Sequence, residues 1–164
     1  MENVFADSWD QESDRPGFLW KRMRLARRLG GELLGGSVYE LPAGEKSFPY
    51  HFHHANEEML IVLSGSVMLR TPTGSHTMEP GDVELFNTGA KGAHQVINET
   101  EAPARFLMMS TMVNPEIAEY PDSGNVGVFA EPPPGHDEET RLFKFLDGAA
   151  ERPYFHGEPL PEES

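Results

Sequence analysis

The chain reads as a mainly β protein, and three features of the sequence carry that expectation. Its 14 prolines and 16 glycines are spread through 164 residues and mark many turns, which favours short strands over long helices. Its apolar runs are brief, as at residues 59–63, 83–86 and 95–97. The longest apolar stretch, residues 59–70, is rich in Val, Ile and Leu but is broken at Ser64-Gly65-Ser66, as a strand bent into a second strand would be. A chain of this length is expected to form one domain whose core needs no covalent staple. Cysteine is absent, so no disulfide framework, thiolate metal site or cysteine nucleophile is available.

Taken in order, residues 1–16 are polar and are expected as an arm, with Phe5 and Trp9 as anchors onto the body or onto a partner subunit. Residues 18–29 hold five of the thirteen basic side chains and read two ways. As a helix, Leu19, Met23 and Ala26 share a stripe; as a strand, Trp20, Arg22 and Arg24 oppose Lys21, Met23 and Leu25. Residues 33–41 form a strand around Gly35-Gly36, ended by Pro42-Ala43-Gly44. Residues 46–54 carry the first histidines, and Pro49 implies an edge or a break in pairing. Thr71-Pro72-Thr73-Gly74 closes a hairpin, and residues 75–78 return, with His76 as a surface histidine.

Glu79-Pro80-Gly81-Asp82 has proline and glycine at the two central places of a type II turn and delivers the chain into residues 83–86. Residues 94–98 are the next strand, 99–104 a turn, and 105–112 the last strand of the central unit. Its Met108, Met109 and Met112 read as adaptable core filling rather than as a thioether copper site. Beyond Val113 the pattern loosens: residues 114–124 are expected to hold one short turn of helix, and residues 125–130 a brief strand. The proline run of residues 131–139 reads as a loop, and His136 within it as a surface residue. Residues 141–146 are expected to pack back on the body, Tyr154, Phe155 and His156 to cover a barrel mouth or a subunit contact, and residues 160–164 to fray. No internal repeat is evident.

The net charge of −14 argues against a nucleic-acid or anionic-membrane binder, because neutralising phosphates takes a basic surface. The basic cluster at 18–29 reads instead as an outward face paired with acidic neighbours. The N-terminus has neither the basic start nor the apolar core of a signal peptide, and no apolar run reaches the roughly 20 residues that span a bilayer. A cytoplasmic protein is the expectation.

Chemistry concentrates between residues 44 and 98. On an extended strand alternate side chains share a face, so His51 and His53 reach one point. Glu58 follows the turn-prone His54-Ala55-Asn56 and can lean back towards that pair, while His94 opens a third apolar run. Three imidazoles and one carboxylate suit a borderline divalent metal such as Fe, Mn, Co, Ni, Cu or Zn and leave positions open for water or substrate. His54 and Glu57 are alternative ligands if the strand carries a bulge, since a slip of one residue exchanges the faces.

These residues resemble the two motifs of the cupin superfamily. His51-x-His53, four residues, Glu58, six residues and Gly65 match the first motif; Gly81, Gly89, His94 and Asn98 resemble the second. The second motif departs from the family pattern at Asn87, where proline is usual, and at Ala90-Lys91-Gly92-Ala93, where two residues usually precede the histidine. The resemblance implies a double-stranded β-helix, jelly-roll-like barrel over residues 17–130, with residues 1–16 as an N-terminal arm and residues 131–164 as a C-terminal extension. It favours the strand reading of residues 18–29. It also implies that His51, His53, Glu58 and His94 hold one divalent transition metal, Fe, Mn, Ni or Zn, and that the protein is a homodimer contacted through the arm and the basic strand.

For function, the resemblance spans dioxygenases and other oxidoreductases, isomerases, decarboxylases, lyases and binding modules on one fold. The expectation is a metal-dependent enzyme on a small oxygen-rich or phenolic molecule that chelates the ion through two oxygens, with Glu58 as a candidate catalytic base. A non-catalytic module for a sugar-like ligand is the competing class. The sequence shows no Ser-His-Asp order, no phosphate loop and no paired catalytic lysine.

Overall fold

A computed structural model of the protein describes residues 1–130 and 142–157. Its strands, in order, are β1 (Gln11–Ser13), β2 (Trp20–Met23), β3 (Leu34–Leu41), β4 (Phe52–His53), β5 (Glu58–Ser64), β6 (Val67–Thr71), β7 (Gly74–Met78), β8 (Val83–Phe86), β9 (Gln95–Ile97), β10 (Ala104–Thr111), β11 (Glu116–Tyr120), β12 (Asn125–Ala130) and β13 (Leu142–Asp147). One α-helical turn, α1 (Leu25–Arg28), and a 3-10 turn at Ala90–Gly92 complete the elements. The strands form sheets ordered β1-β2-β3-β10-β5-β8, β13-β12-β11-β4 and β7-β6-β9. The arrangement is mainly β, as expected, and is that of a double-stranded β-helix.

The first and third sheets close on one apolar core. Period-two alternation places Tyr39 and Leu41 of β3, Leu60 and Val62 of β5, and Phe106 of β10 on the inner face of one sheet, against Val67, Leu69, Met78 and Val96 of the other. Strand β10 is hydrogen-bonded on both sides, to β3 and to β5, and so ties the first sheet together. Between β5 and β6 the chain reverses at Gly65, with φ of 70°. A Cβ there would meet Pro103 O and Ala104 Cα at 2.9 Å, so both the backbone conformation and the close approach demand glycine.

Polar groups fasten the chain where strands end. Asn98 is fully buried; its amide donates to Leu41 O and Ala102 O and accepts from Thr100 N and Oγ1. It joins the end of β3 to the turn that leads into β10. Arg105 pairs with Glu40 and with Asp7, and its guanidinium lies 4.8 Å from the Trp9 ring. Trp9 thus anchors the N-terminal arm, whereas Phe5 is 60% exposed.

Several segments differ from the sequence expectation. Residues 11–13 of the arm form an edge strand on β2. Residues 18–29 divide between β2 and α1: Leu-Ala-Arg-Arg are good helix formers, and Arg28 holds the turn by bonding Asp10 and Ser8 O. Residues 116–120, expected in a loose helical segment, form β11 between β12 and β4. Its inward residues are Glu116 and Ala118, while Ile117 is 41% exposed, an inversion of the usual apolar-in pattern that hides the strand. Tyr154 and Phe155 are 93% and 76% exposed and touch each other, so of the two roles expected for them they do not cover a barrel mouth. The 131–139 loop with His136, Arg141 and the 160–164 tail lie outside the described residues. No helix among the described residues is long and apolar enough to cross a membrane.

Replacing Asn98 by Ala strands the Leu41 and Ala102 carbonyls in a buried position. Urea denaturation of Asn98→Ala is expected to show a loss of about 2 kcal/mol, with metal content unchanged.

Candidate metal centre

Alternation sets the direction of the first histidine pair. Tyr50 and Phe52 are buried in a small cluster with Ala93, so His51 and His53 point the other way, inward. His51 forms an isolated antiparallel bridge with His94, each backbone N–H bonding the other's carbonyl at 3.2 and 2.9 Å. This bridge brings the two motifs together, and the imidazole centroids of His51 and His94 lie 4.8 Å apart. The inserted Ala90–Gly92 turn does not displace His94. It is accommodated because Gly92 lacks a Cβ, which would overlap the Asn87 carbonyl.

Glu58 opens β5 and lies between β8 and β10, opposite Phe86 and Ser110. Its Oε2 is 3.3 Å from His53 Nε2 and 3.1 Å from His94 Nε2. Nitrogens of His51 and His53 and an oxygen of Glu58 all fall within 4.8 Å of one another, close enough to hold one ion. The Nδ1–H groups of His51 and His94 donate to Pro49 O at 2.8 Å and Gly92 O at 2.9 Å, which orients both rings and leaves Nε2 as the atom each can offer to an ion. The ring of His94 is also clamped by Phe86, stacked at 3.8 Å and 10°.

The alternative ligands face elsewhere. His54 turns outward, with Nε2 2.7 Å from Glu119 Oε1, and Glu57 is exposed at the surface. His76 lies on the exposed strand β7, as expected. Met108 packs on the core, also as expected, while Met112 lines the cavity above the histidines.

Two residues at the site escaped the sequence reading, both on β11. Glu116 is buried and accepts from the backbone N–H of His54, Ala55 and Ile117 and from Asn56 Nδ2. Its Oε2 is 3.7 Å from His53 Nδ1. Tyr120 stacks on His51 at 5.7 Å and 17°. Nothing in the sequence near residue 53 signals either, because both arrive from more than sixty residues along the chain across a sheet; the one hint is the spacing of Glu116, Ala118 and Tyr120 on one strand face.

The charges follow from this packing. Burial pushes the His51 pKa down to about 4, helped by the neighbouring His94, so this ring is neutral. Burial also opposes charge on His53, but Glu116 and Glu58 outweigh it and raise its pKa to about 10. Burial disfavours the Glu58 carboxylate, yet His53 and His94 hold it well below the usual range. Burial lifts the Tyr120 phenol to about 12. Both ring nitrogens of His53 are nevertheless buried without a hydrogen-bond partner. Orphaned imidazole nitrogens beside a carboxylate oxygen fit a divalent transition ion. His51 and His53 form the floor of a cavity of about 800 Å³, walled by Trp20, Phe48, Tyr120 and Phe129 among others.

In protein stripped of metal, a cationic His53 stabilises the fold at low and neutral pH, and that contribution is lost as pH rises from its unfolded value of roughly 6.5 through about 10. Thermal unfolding in EDTA is expected to show a melting temperature that falls from neutral to alkaline pH, with a shallower fall in His53→Gln.

Residues 37–110 match the Cupin domain family. Among solved structures, a sugar phosphate isomerase of the cupin superfamily from Silicibacter pomeroyi is 31% identical, with a TM-score of 0.70, covering 87% of this chain and 91% of that one. A provisionally named sugar phosphate isomerase from Acidithiobacillus ferrooxidans has the same TM-score of 0.70 at 24% identity, over 84% of this chain and 82% of that one. The polyketide cyclase RemF from Streptomyces resistomycificus has a TM-score of 0.57 at 22% identity, over 71% and 83%. No curated protein sequence gives a significant match. With its histidine and glutamate motifs joined on a double-stranded β-helix, and a relative of that superfamily aligned over most of both chains, this chain belongs to the cupin superfamily.

Proposed function

We propose that His51, His53, Glu58 and His94 hold one divalent transition metal, Fe, Mn, Ni or Zn, and that the protein is a metal-dependent enzyme of isomerase type acting on a small oxygen-rich molecule. The observation that carries this reading is the pair of orphaned His53 nitrogens in a His-His-Glu group whose two histidines line the cavity. The 31% identity to a sugar phosphate isomerase supports the isomerase class.

Bound there, the ion would act as a Lewis acid, drawing negative charge onto two neighbouring oxygens of the substrate. The chain's own groups divide the remaining work. His51 and His94 present Nε2 with their other nitrogens fixed on backbone carbonyls. Glu116, pinned by backbone amides, stands as a fixed counter-charge 3.7 Å from His53 Nδ1. The Tyr120 phenol stays protonated across the neutral range, with its pKa pushed up to about 12, and so serves as a hydrogen-bond donor to a substrate oxygen. Glu58, through the carboxylate oxygen that does not face the ion, is the proton carrier: it takes a proton from the hydroxyl-bearing carbon next to a carbonyl and returns it to the former carbonyl carbon, while the hydroxyl proton passes to the former carbonyl oxygen. Aromatic side chains line the cavity above the reacting face.

One observation favours a binding module without turnover. Glu58 is held well below the usual carboxylate range, which makes it a weak base for carbon acids. Isotope exchange separates the two readings.

Elemental analysis of tag-free protein is expected to give near one metal per chain, absent from His53→Ala combined with His94→Ala; no metal in the wild type, and no gain on adding it back, would overturn the metal reading. Incubated in D2O with a panel of aldose and ketose phosphates, the metal-loaded enzyme is expected to place deuterium next to the carbonyl, whereas ligand-induced stabilisation without exchange would identify a binder. Oxygen uptake by an iron-loaded sample would instead assign oxygenase chemistry. Equilibrium dialysis of Glu116→Gln should show metal affinity weakened about 10- to 100-fold, with the fold intact by circular dichroism.

A further inference from the structure

The chain is strongly acidic, with a net charge of −14, and three of its arginines are held by carboxylates. Arg28 pairs with Asp10 and Glu2, Arg70 with Asp122, and Arg105 with Glu40 and Asp7. Arg15 and Arg22 differ: among the described residues neither has a carboxylate partner, and both line the cavity above the histidines. The basic segment was expected to face outward. Lys21 does, towards Glu40, but alternation on β2 turns Arg22 inward beside Trp20.

Arg22 is oriented by neutral groups alone. Its Nε donates to Ser37 Oγ at 2.9 Å, a terminal nitrogen lies 3.5 Å from Gln11 Oε1, and the guanidinium sits 5.5 Å from the Tyr39 ring. Ser37 is buried, so this contact is built into the wall rather than made at the surface. These partners aim the planar fork without neutralising it. Arg15 stands over the Phe18 ring at 5.8 Å on the exposed rim of the same cavity. The carboxylate that lines this space, Glu116, is already committed to backbone amides and Asn56. A half-buried guanidinium without a counter-charge is expensive unless a ligand supplies one, and its fork geometry matches a phosphate or carboxylate.

Building on the metal-dependent reading of the cavity floor, we propose that Arg22, with Arg15 at the rim, anchors a compact oxyanion of the substrate, a phosphate or a carboxylate. The substrate is then two-ended, with neutral oxygens at the histidine floor and an anionic group held at the arginine wall. The aromatic side chains between the two ends pack on its apolar faces.

Isothermal titration with inorganic phosphate, and separately with acetate, against a chloride background of equal ionic strength tests this on EDTA-treated protein, where no metal can capture the anion. Saturable binding of one anion per chain is expected for the wild type. It should be weakened about tenfold or more in Arg22→Gln, since a charge-assisted fork is lost, and less in Arg22→Lys. Arg15→Glu, on the exposed rim, is the second variant should Arg22→Gln fail to fold, and is expected to weaken binding at least as strongly by reversing the charge. Tighter phosphate than acetate binding marks a phosphorylated substrate; the reverse marks a carboxylic acid. No saturable binding in the wild type, or binding unchanged in the arginine variants, would overturn the proposal. Metal content, measured on the same preparations before EDTA treatment and again after metal is added back, reports separately on the histidine site: wild type that binds phosphate but never retains metal sinks the metal reading and leaves the anion site standing.

Discussion

A carboxylate removed from water stays ionised only if donors or cations meet it, and Glu58 is such a group. Its side chain is 15% exposed, with two imidazole nitrogens within 3.3 Å of one oxygen. Coulomb attraction at that separation, in a medium less polar than water, outweighs the cost of burial. The surrounding architecture reads as the means of bringing those imidazoles to it. Strand β5 fixes Glu58 between two neighbours, the His51–His94 bridge joins the two motif segments, and β11 delivers a second carboxylate to the far side of His53. His53 therefore lies between two carboxylates, while burial keeps His51 neutral.

The interior is divided by chemistry. The core between the large and small sheets is made of aliphatic and aromatic side chains, whereas the cavity end carries imidazole, phenol, guanidinium and carboxylate groups among aromatic rings. Phe86 belongs to both: buried in the core cluster, it also stacks on His94. Rigidity in the packed half thus reaches His94 directly, which is how a site on short strands can hold its geometry.

Much of this was legible in the sequence, for a physical reason. Turns written in glycine and proline are local, so Gly65, Gly81 and the Thr71–Gly74 hairpin fall where the sequence puts them. The strand period fixed the shared face of His51 and His53, and turned His54 away. What was not legible depends on pairing at a distance. Glu116 is sixty-three residues beyond His53, on a strand whose buried face carries a charge and whose exposed face carries Ile117, so periodicity points the wrong way. The inward direction of Arg22 was equally hidden: a basic cluster reads as surface until β3 and Ser37 are laid beside it.

The floor and the walls of the cavity come from different stretches of the chain. His51, His53, Glu58 and His94 all fall within residues 37–110, the part that matches the cupin domain. Much of the wall does not: Arg15, Trp20 and Arg22 precede that stretch, and Glu116, Tyr120, Phe129, Phe143 and Phe145 follow it. The extensions are therefore more than packing around a barrel. They form a sleeve around the histidine and glutamate motif, so the shape and charge of what the cavity can admit are set largely by residues outside that motif.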